Sequence, residues 1–113
     1  MLVLNHPCFR IPRQTRWDID EPNKTQYRRI DRYMTPLEIP VATHPGHGAR
    51  SETTRSYHLP LSEYSRMLCG NGFVIEKLEE WISEKHSVGE AAKMENRARK
   101  EFPLFLAILA RKD

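Results

Sequence analysis

The spacing of apolar positions changes character several times along the chain. Met1-Leu2-Val3-Leu4 is a short apolar run closed by Asn5-His6-Pro7, and a proline there ends ladder pairing, so the pattern predicts a strand ending at His6. The run starts without a preceding turn, cap or polar leader, as expected of a chain entered partway through a fold. Residues 8 to 33 mix Pro, Asp, Asn and many arginines without sustained periodicity, which predicts a long surface loop with one helical turn near Thr25 to Asp31. Tyr33 to Val41 and Ala49 to Leu59 read as extended, separated by the turn cluster Thr43-His44-Pro45-Gly46-His47-Gly48. A lid hairpin with a flexible tip is the expectation, and Pro36 and Pro40, which lack an amide donor, make its first strand an edge.

From Pro60 the period becomes helical, with Leu61, Tyr64, Met67 and Leu68 on one face and Glu63 in the first turn. Gly70-Asn71-Gly72 supplies a left-handed stop, after which Phe73 to Leu78 reads as a strand. Leu61, Tyr64 and Met67 are assigned to the core. Ser87-Val88-Gly89-Glu90 has capping-box spacing and opens a charged helix containing Ala91, Ala92, Met94 and Ala98, which runs to about Lys100. Phe102-Pro103 breaks it. Leu104 to Ala110 is apolar throughout, the signature of a strand covered on both faces.

Composition narrows the class. With 113 residues the chain holds one domain and is too short for a complete dinucleotide-type α/β enzyme. Eight prolines and a mean hydropathy of −0.66 add loop to an otherwise globular composition. The net charge of +3 collects early, at Arg10, Arg13, Arg16, Lys24, Arg28, Arg29 and Arg32, but Asp18, Asp20, Glu21 and Asp31 are interleaved, so no uniform basic stripe offers itself to nucleic acid. Cys8 and Cys69 lie far apart without metal or redox spacing, and no secretory leader is visible, so a reduced cytoplasmic setting is expected. The longest apolar run is far short of the ~20 residues a membrane helix needs.

Four segments in order resemble a known family. Leu4-Asn5-His6-Pro7-Cys8-Phe9-Arg10, Tyr57-His58-Leu59-Pro60-Leu61-Ser62-Glu63-Tyr64, Gly72 to Glu80, and Phe102-Pro103 with Leu104 to Lys112 are similar to the C-terminal half of small-molecule class I S-adenosylmethionine-dependent methyltransferases, of the type 11/12-like kind. The stretch from about Trp17 to Arg55 matches only loosely. The resemblance implies an α/β chain with a partial Rossmann-like fold. Its mixed three-stranded sheet has the family's strand order 5-7-6, with the seventh strand antiparallel, a packed helix and the lid hairpin. One partial domain, 1–113, then divides into a strand at 1–7, loop and lid at 8–56, and helix-strand-helix-strand at 57–113.

The departures weigh as much as the match. Family members hold the cofactor with a glycine-rich loop after the first strand and an acidic residue after the second. Neither has a counterpart here, since Gly46-His47-Gly48 lies in a proline-flanked turn and Gly70-Asn71-Gly72 closes a helix instead of opening one. The chain is therefore expected not to bind S-adenosylmethionine alone, no residue is assigned to the cofactor, and no catalytic residue is named. With the preceding half absent, the free edge of the first strand is expected to pair with another chain, giving a homo-oligomer or a complex with an N-terminal half.

Candidate substrate-side residues follow from position. His6, at the carboxyl end of a strand, together with Cys8, Phe9 and Arg10, is placed to line a pocket, against the plain alternative that His6-Pro7 merely ends the strand. Tyr57 and His58 lead into the helix and are expected at the same mouth, where a histidine suits proton movement, against a structural tyrosine and an exposed histidine. Trp17, Tyr27, Tyr33 and Trp81 either cover substrate in the lid or anchor the loop. His44, His47 and His58 make a poor zinc set, lacking a fourth ligand, so no metal is expected. Two functions remain: the substrate-side portion of a small-molecule methyltransferase, inactive alone, or a non-catalytic module associating through its bare strand edge.

Overall fold

A computed structural model describes residues 1–42 and 53–113. Its largest unit is a three-stranded sheet of β1 (Leu2–Asn5), β7 (Phe105–Lys112) and β6 (Phe73–Trp81), in the order β1-β7-β6. Leu2 stands opposite Ile108 and Leu78 opposite Ile108 from the other side, both in antiparallel register, so β1 and β6 run parallel to each other and only the central strand is reversed. The most apolar strand thus takes the middle position, where both its edges are paired. The expected order, with the last strand antiparallel, is what the sheet adopts, and every adjacent pair in it is antiparallel.

Helix α1 (Leu61–Gly70) lies on one face of this sheet. Pro60 fixes the entry at φ −65°, and Gly72, at φ +82°, makes the left-handed exit that sends the chain into β6. The helix buries Tyr64 against Leu106 and Ile108, with Leu4, Leu59, Leu61, Leu68 and Ile75 packed around them. Met67, expected in the core, is 47% exposed, because the helix crosses the sheet with Leu61, Tyr64 and Leu68 facing it.

A bulge in β6 decides what faces what. The register shifts between Ile75 and Lys77, so Glu76 is the extra residue and the alternation changes sides there. Beyond it Leu78 and Glu80 stand on the α1 face, whereas Lys77, Glu79 and Trp81 stand on the other. The displaced Glu76 binds Arg111 at 2.6 Å.

That other face is partly exposed among the described residues. Val3, Leu109, Val74 and Trp81 share it by register and are between 38% and 44% exposed. The expectation that β7 is covered on both sides is corrected in part: Leu106 and Ile108 are buried on the α1 face and Ala107 on the other, but Leu109, beside Ala107 on that other face, is 39% exposed. Among the described residues the outer edge of β1 is unpaired as well, since the strand bonds only to β7. The total accessible surface, 8252 Å², exceeds the ~6,500 Å² usual for a folded monomer of this mass.

The stretch read as a surface loop contains a second hairpin. β2 (Thr15–Asp20) and β3 (Thr25–Ile30) pair in antiparallel register around Glu21 to Lys24, with Lys24 at φ +49°. Residues 25–30 therefore form a strand where a helical turn was expected. Cross-strand partners explain it: Trp17 faces Arg28 with the guanidinium carbon 5.1 Å from the ring centroid, and Asp18 faces Tyr27. Arginine stems cover aromatic surface here, so a strand pair forms without the apolar alternation that normally announces one.

β4 (Leu37–Ala42) and β5 (Thr53–His58) form the expected hairpin as a separate two-stranded sheet, with Pro40 opposite Arg55. Its tip, including Gly46, Gly48, His44 and His47, lies outside the described residues. α2 (Ala92–Glu101) agrees with the predicted charged helix, but Ala91 is its N-cap and no side chain caps it. Ser87 instead donates its hydroxyl to Glu95 at 2.7 Å and accepts from Arg99, tying the connection to the helix flank. The strand predicted over Phe73 to Leu78 continues, as β6, to Trp81.

Among the described residues, the chain is a mixed α/β structure of antiparallel sheets and two helices. No described helix is long and apolar enough to cross a membrane.

Candidate functional site

Three chain ends meet at one end of the main sheet. The Leu104 amide donates to Trp81 O at 2.8 Å, and the His6 amide donates to Leu104 O at 2.9 Å. The carboxyl ends of the two parallel strands, β1 and β6, are thereby fixed beside the start of β7. In open α/β sheets this end is where ligands bind.

His6 is built into this end. It is 3% exposed, and its Nε2 lies 2.6 Å from Glu80 Oε2. Its Nδ1 accepts the Cys8 amide at 3.2 Å, so the ring proton sits on Nε2 and is donated to Glu80. Both ring nitrogens are then occupied, and the imidazole fixes the turn after β1 instead of offering a free base. The bulge in β6 makes this pairing possible by turning Glu80 to the α1 face.

From that turn, Phe9 packs on the His6 ring at 4.9 Å between centroids. Phe9 also meets Phe102 edge-on at 5.6 Å, and Trp17 meets the same ring at 5.5 Å. The β2–β3 hairpin is locked over this cluster by Arg28, whose Nε donates to Phe9 O at 2.8 Å and whose terminal nitrogen donates to Thr15 Oγ1 at 2.9 Å. Arg10 bonds Asn5 Oδ1 at 3.3 Å and stands over the Phe105 ring at 5.5 Å. Partial burial and then the neighbouring Arg10 charge hold Arg28 below its usual proton affinity.

A hollow of about 240 Å³ opens between these groups, lined by Phe9, Arg10, Trp17, Arg28, Phe102 and Leu104. Of the sequence-derived candidates, His6, Cys8, Phe9 and Arg10 therefore converge: Phe9 and Arg10 line the hollow, and His6 and Cys8 support the turn that presents them.

Tyr57 and His58 do not share this mouth. They alternate on β5, so Tyr57 is 59% exposed while His58 is 2% exposed and donates from Nε2 to Tyr33 O at 2.7 Å. The Tyr33 hydroxyl accepts the Leu61 amide at 3.0 Å and lies 3.9 Å from Cys8 Sγ, so it couples the α1 start to the turn after β1. Burial, more than these partners, raises the Tyr33 hydroxyl above its ordinary range. Of the four aromatics proposed as lid or anchor, Tyr33 is thus an anchor and Trp17 both anchors and lines the hollow. Tyr27 and Trp81 are exposed.

Glu80, Arg28 and Phe102 escaped the sequence reading. Glu80 is 74 positions from His6, and the only signal for its orientation is a bulge that no local pattern marks. Arg28 read as one of several loop arginines.

Among the described residues no group of three or more His, Cys, Asp or Glu side chains is arranged to hold a metal ion. Gly70 and Gly72 flank the exit of α1, where carbonyls point outward, rather than an entrance where amides would receive a ligand. No family model, curated protein or solved structure compared with the chain matches it.

Proposed function

We propose that the chain is the C-terminal, substrate-side portion of an S-adenosylmethionine-dependent methyltransferase acting on a small molecule, inactive alone because the cofactor-binding half lies outside these residues. The observation that carries this reading is the strand order β1-β7-β6 with the middle strand alone reversed. It is the order that the sequence resemblance implies for the family's fifth, seventh and sixth strands. The hollow at the carboxyl ends of the parallel strands adds a substrate position consistent with it.

The missing half accounts for what is left bare. Its fourth strand would pair with the free edge of β1, where the alternation set by the His6–Leu104 bond turns the Val3 and Asn5 amides outward. Its helices would cover Val3, Val74, Trp81 and Leu109. The half is supplied by another chain or segment, or else the edge is satisfied by a second copy of this chain, and a cytoplasmic setting goes with the two free cysteines. Methyl transfer in such an assembly would draw on this chain for positioning, because His6 is buried with both ring nitrogens engaged and His58 is buried with its Nε2 on Tyr33 O.

Reading the coding sequence on the 5′ side of this chain tests the proposal. It is expected to encode an apolar strand running into a glycine-rich loop, followed about 20 residues on by an acidic residue ending a second strand. Neighbouring sequence without those elements would count against it. The second reading, a non-catalytic module associating through β1, rests on the same bare edge and differs in requiring no cofactor in the assembly.

A further inference from the structure

Two guanidinium groups, Arg10 and Arg28, are held side by side at the rim of the hollow, each tied to the protein by neutral acceptors only: Asn5 Oδ1 for Arg10, Phe9 O and Thr15 Oγ1 for Arg28. Among the described residues neither forms an ion pair, although seven other such contacts occur. Two neighbouring like charges, one of them partly desolvated, are unfavourable unless an anion offsets them. Each retains N–H donors not used by the fold, in the planar fork that matches a carboxylate.

The rest of the hollow is apolar. Phe9 and Trp17 each meet Phe102 edge to face and line it with Pro103 and Leu104, an aromatic wall of the kind that receives a flat ring. We infer that the hollow binds a planar aromatic carboxylate, its ring among Phe9, Trp17 and Phe102 and its carboxylate between Arg10 and Arg28. As the methyl acceptor's site this rests on the methyltransferase reading, whereas as a binding site it stands on the arginine pair and the aromatic cluster alone.

Titration of the purified chain with naphthoate, naphthamide and cyclohexanecarboxylate, followed by calorimetry and ligand-observed NMR, tests it. Naphthoate should bind saturably and at least about tenfold more tightly than either control, since one control lacks the charge and the other the flat ring. Arg10→Met should weaken naphthoate at least about tenfold, whereas Arg29→Met, an exposed change of equal charge on the same hairpin, should bind as the unsubstituted chain does. Raising the salt concentration on the unsubstituted chain should weaken naphthoate and leave naphthamide unchanged, a result independent of how any variant folds. Absence of saturable binding, equal affinity for the acid and the amide, or indifference to salt overturns the inference. None of those outcomes bears on the methyltransferase reading, which cofactor binding decides.

Discussion

Ile108→Ala is expected to cost about 3 kcal/mol of stability, a large part of what a small domain possesses. Ile108 is 2% exposed at the centre of β7, bonded to both neighbouring strands through its register and packed under Tyr64 of α1. Truncation removes buried carbons and leaves a cavity that two fixed strands prevent from collapsing. Its cross-strand partner gives the comparison: Leu78, on the same face but 56% exposed, should lose less than about 1 kcal/mol when changed to alanine. Urea denaturation monitored by circular dichroism separates the two. Equal losses would mean that α1 does not sit where its contacts with Leu106 and Ile108 put it.

The second large effect concerns association. Isolated in solution, the chain is expected to self-associate through the edge of β1 and the apolar face beside it, and Val3→Lys should return it to monomer at the same concentration. Val3 sits at both features: its amide points off the free edge, and its side chain, 44% exposed, belongs to the open face with Leu109, Val74 and Trp81. A lysine there introduces the charge by which natural edge strands resist pairing. Because the position is not buried, the urea midpoint of the monomer should move little. Sedimentation velocity on both proteins reads the result. A chain that is monomeric at high concentration, or a variant that associates as before, would show that the edge is not sticky.

Legibility from sequence divided along physical lines. The central strand was readable because an unbroken apolar run such as Leu104 to Ala110 marks a strand of the sheet interior, although the cover on both faces that it implies stops short at Leu109. α1 and its exit were readable because helical period and the glycine at 72 are local signals. The β2–β3 hairpin was hidden by chemistry: Arg28 lies over the Trp17 ring opposite it, so a polar letter occupies a position that packs. Glu80 was hidden by geometry, since one extra residue at the bulge exchanges the faces of everything after it, and strict alternation from Phe73 would have put Glu79, not Glu80, on Leu106's side of the sheet. The exposure of Leu109 on the far face was not legible, because an unbroken apolar run implies cover on both faces. His58 illustrates the limit of residue-type reasoning: a histidine beside an exposed tyrosine is turned inward by strand alternation and serves Tyr33, not solvent.

The most direct measurement is calorimetric titration of S-adenosylhomocysteine, first into the chain alone and then into the chain together with the polypeptide encoded on its 5′ side. The methyltransferase reading predicts no saturable heat from the chain alone and stoichiometric binding by the pair, because the cofactor cradle belongs to the other half. Saturable binding by the chain alone, or none by the pair, would contradict it.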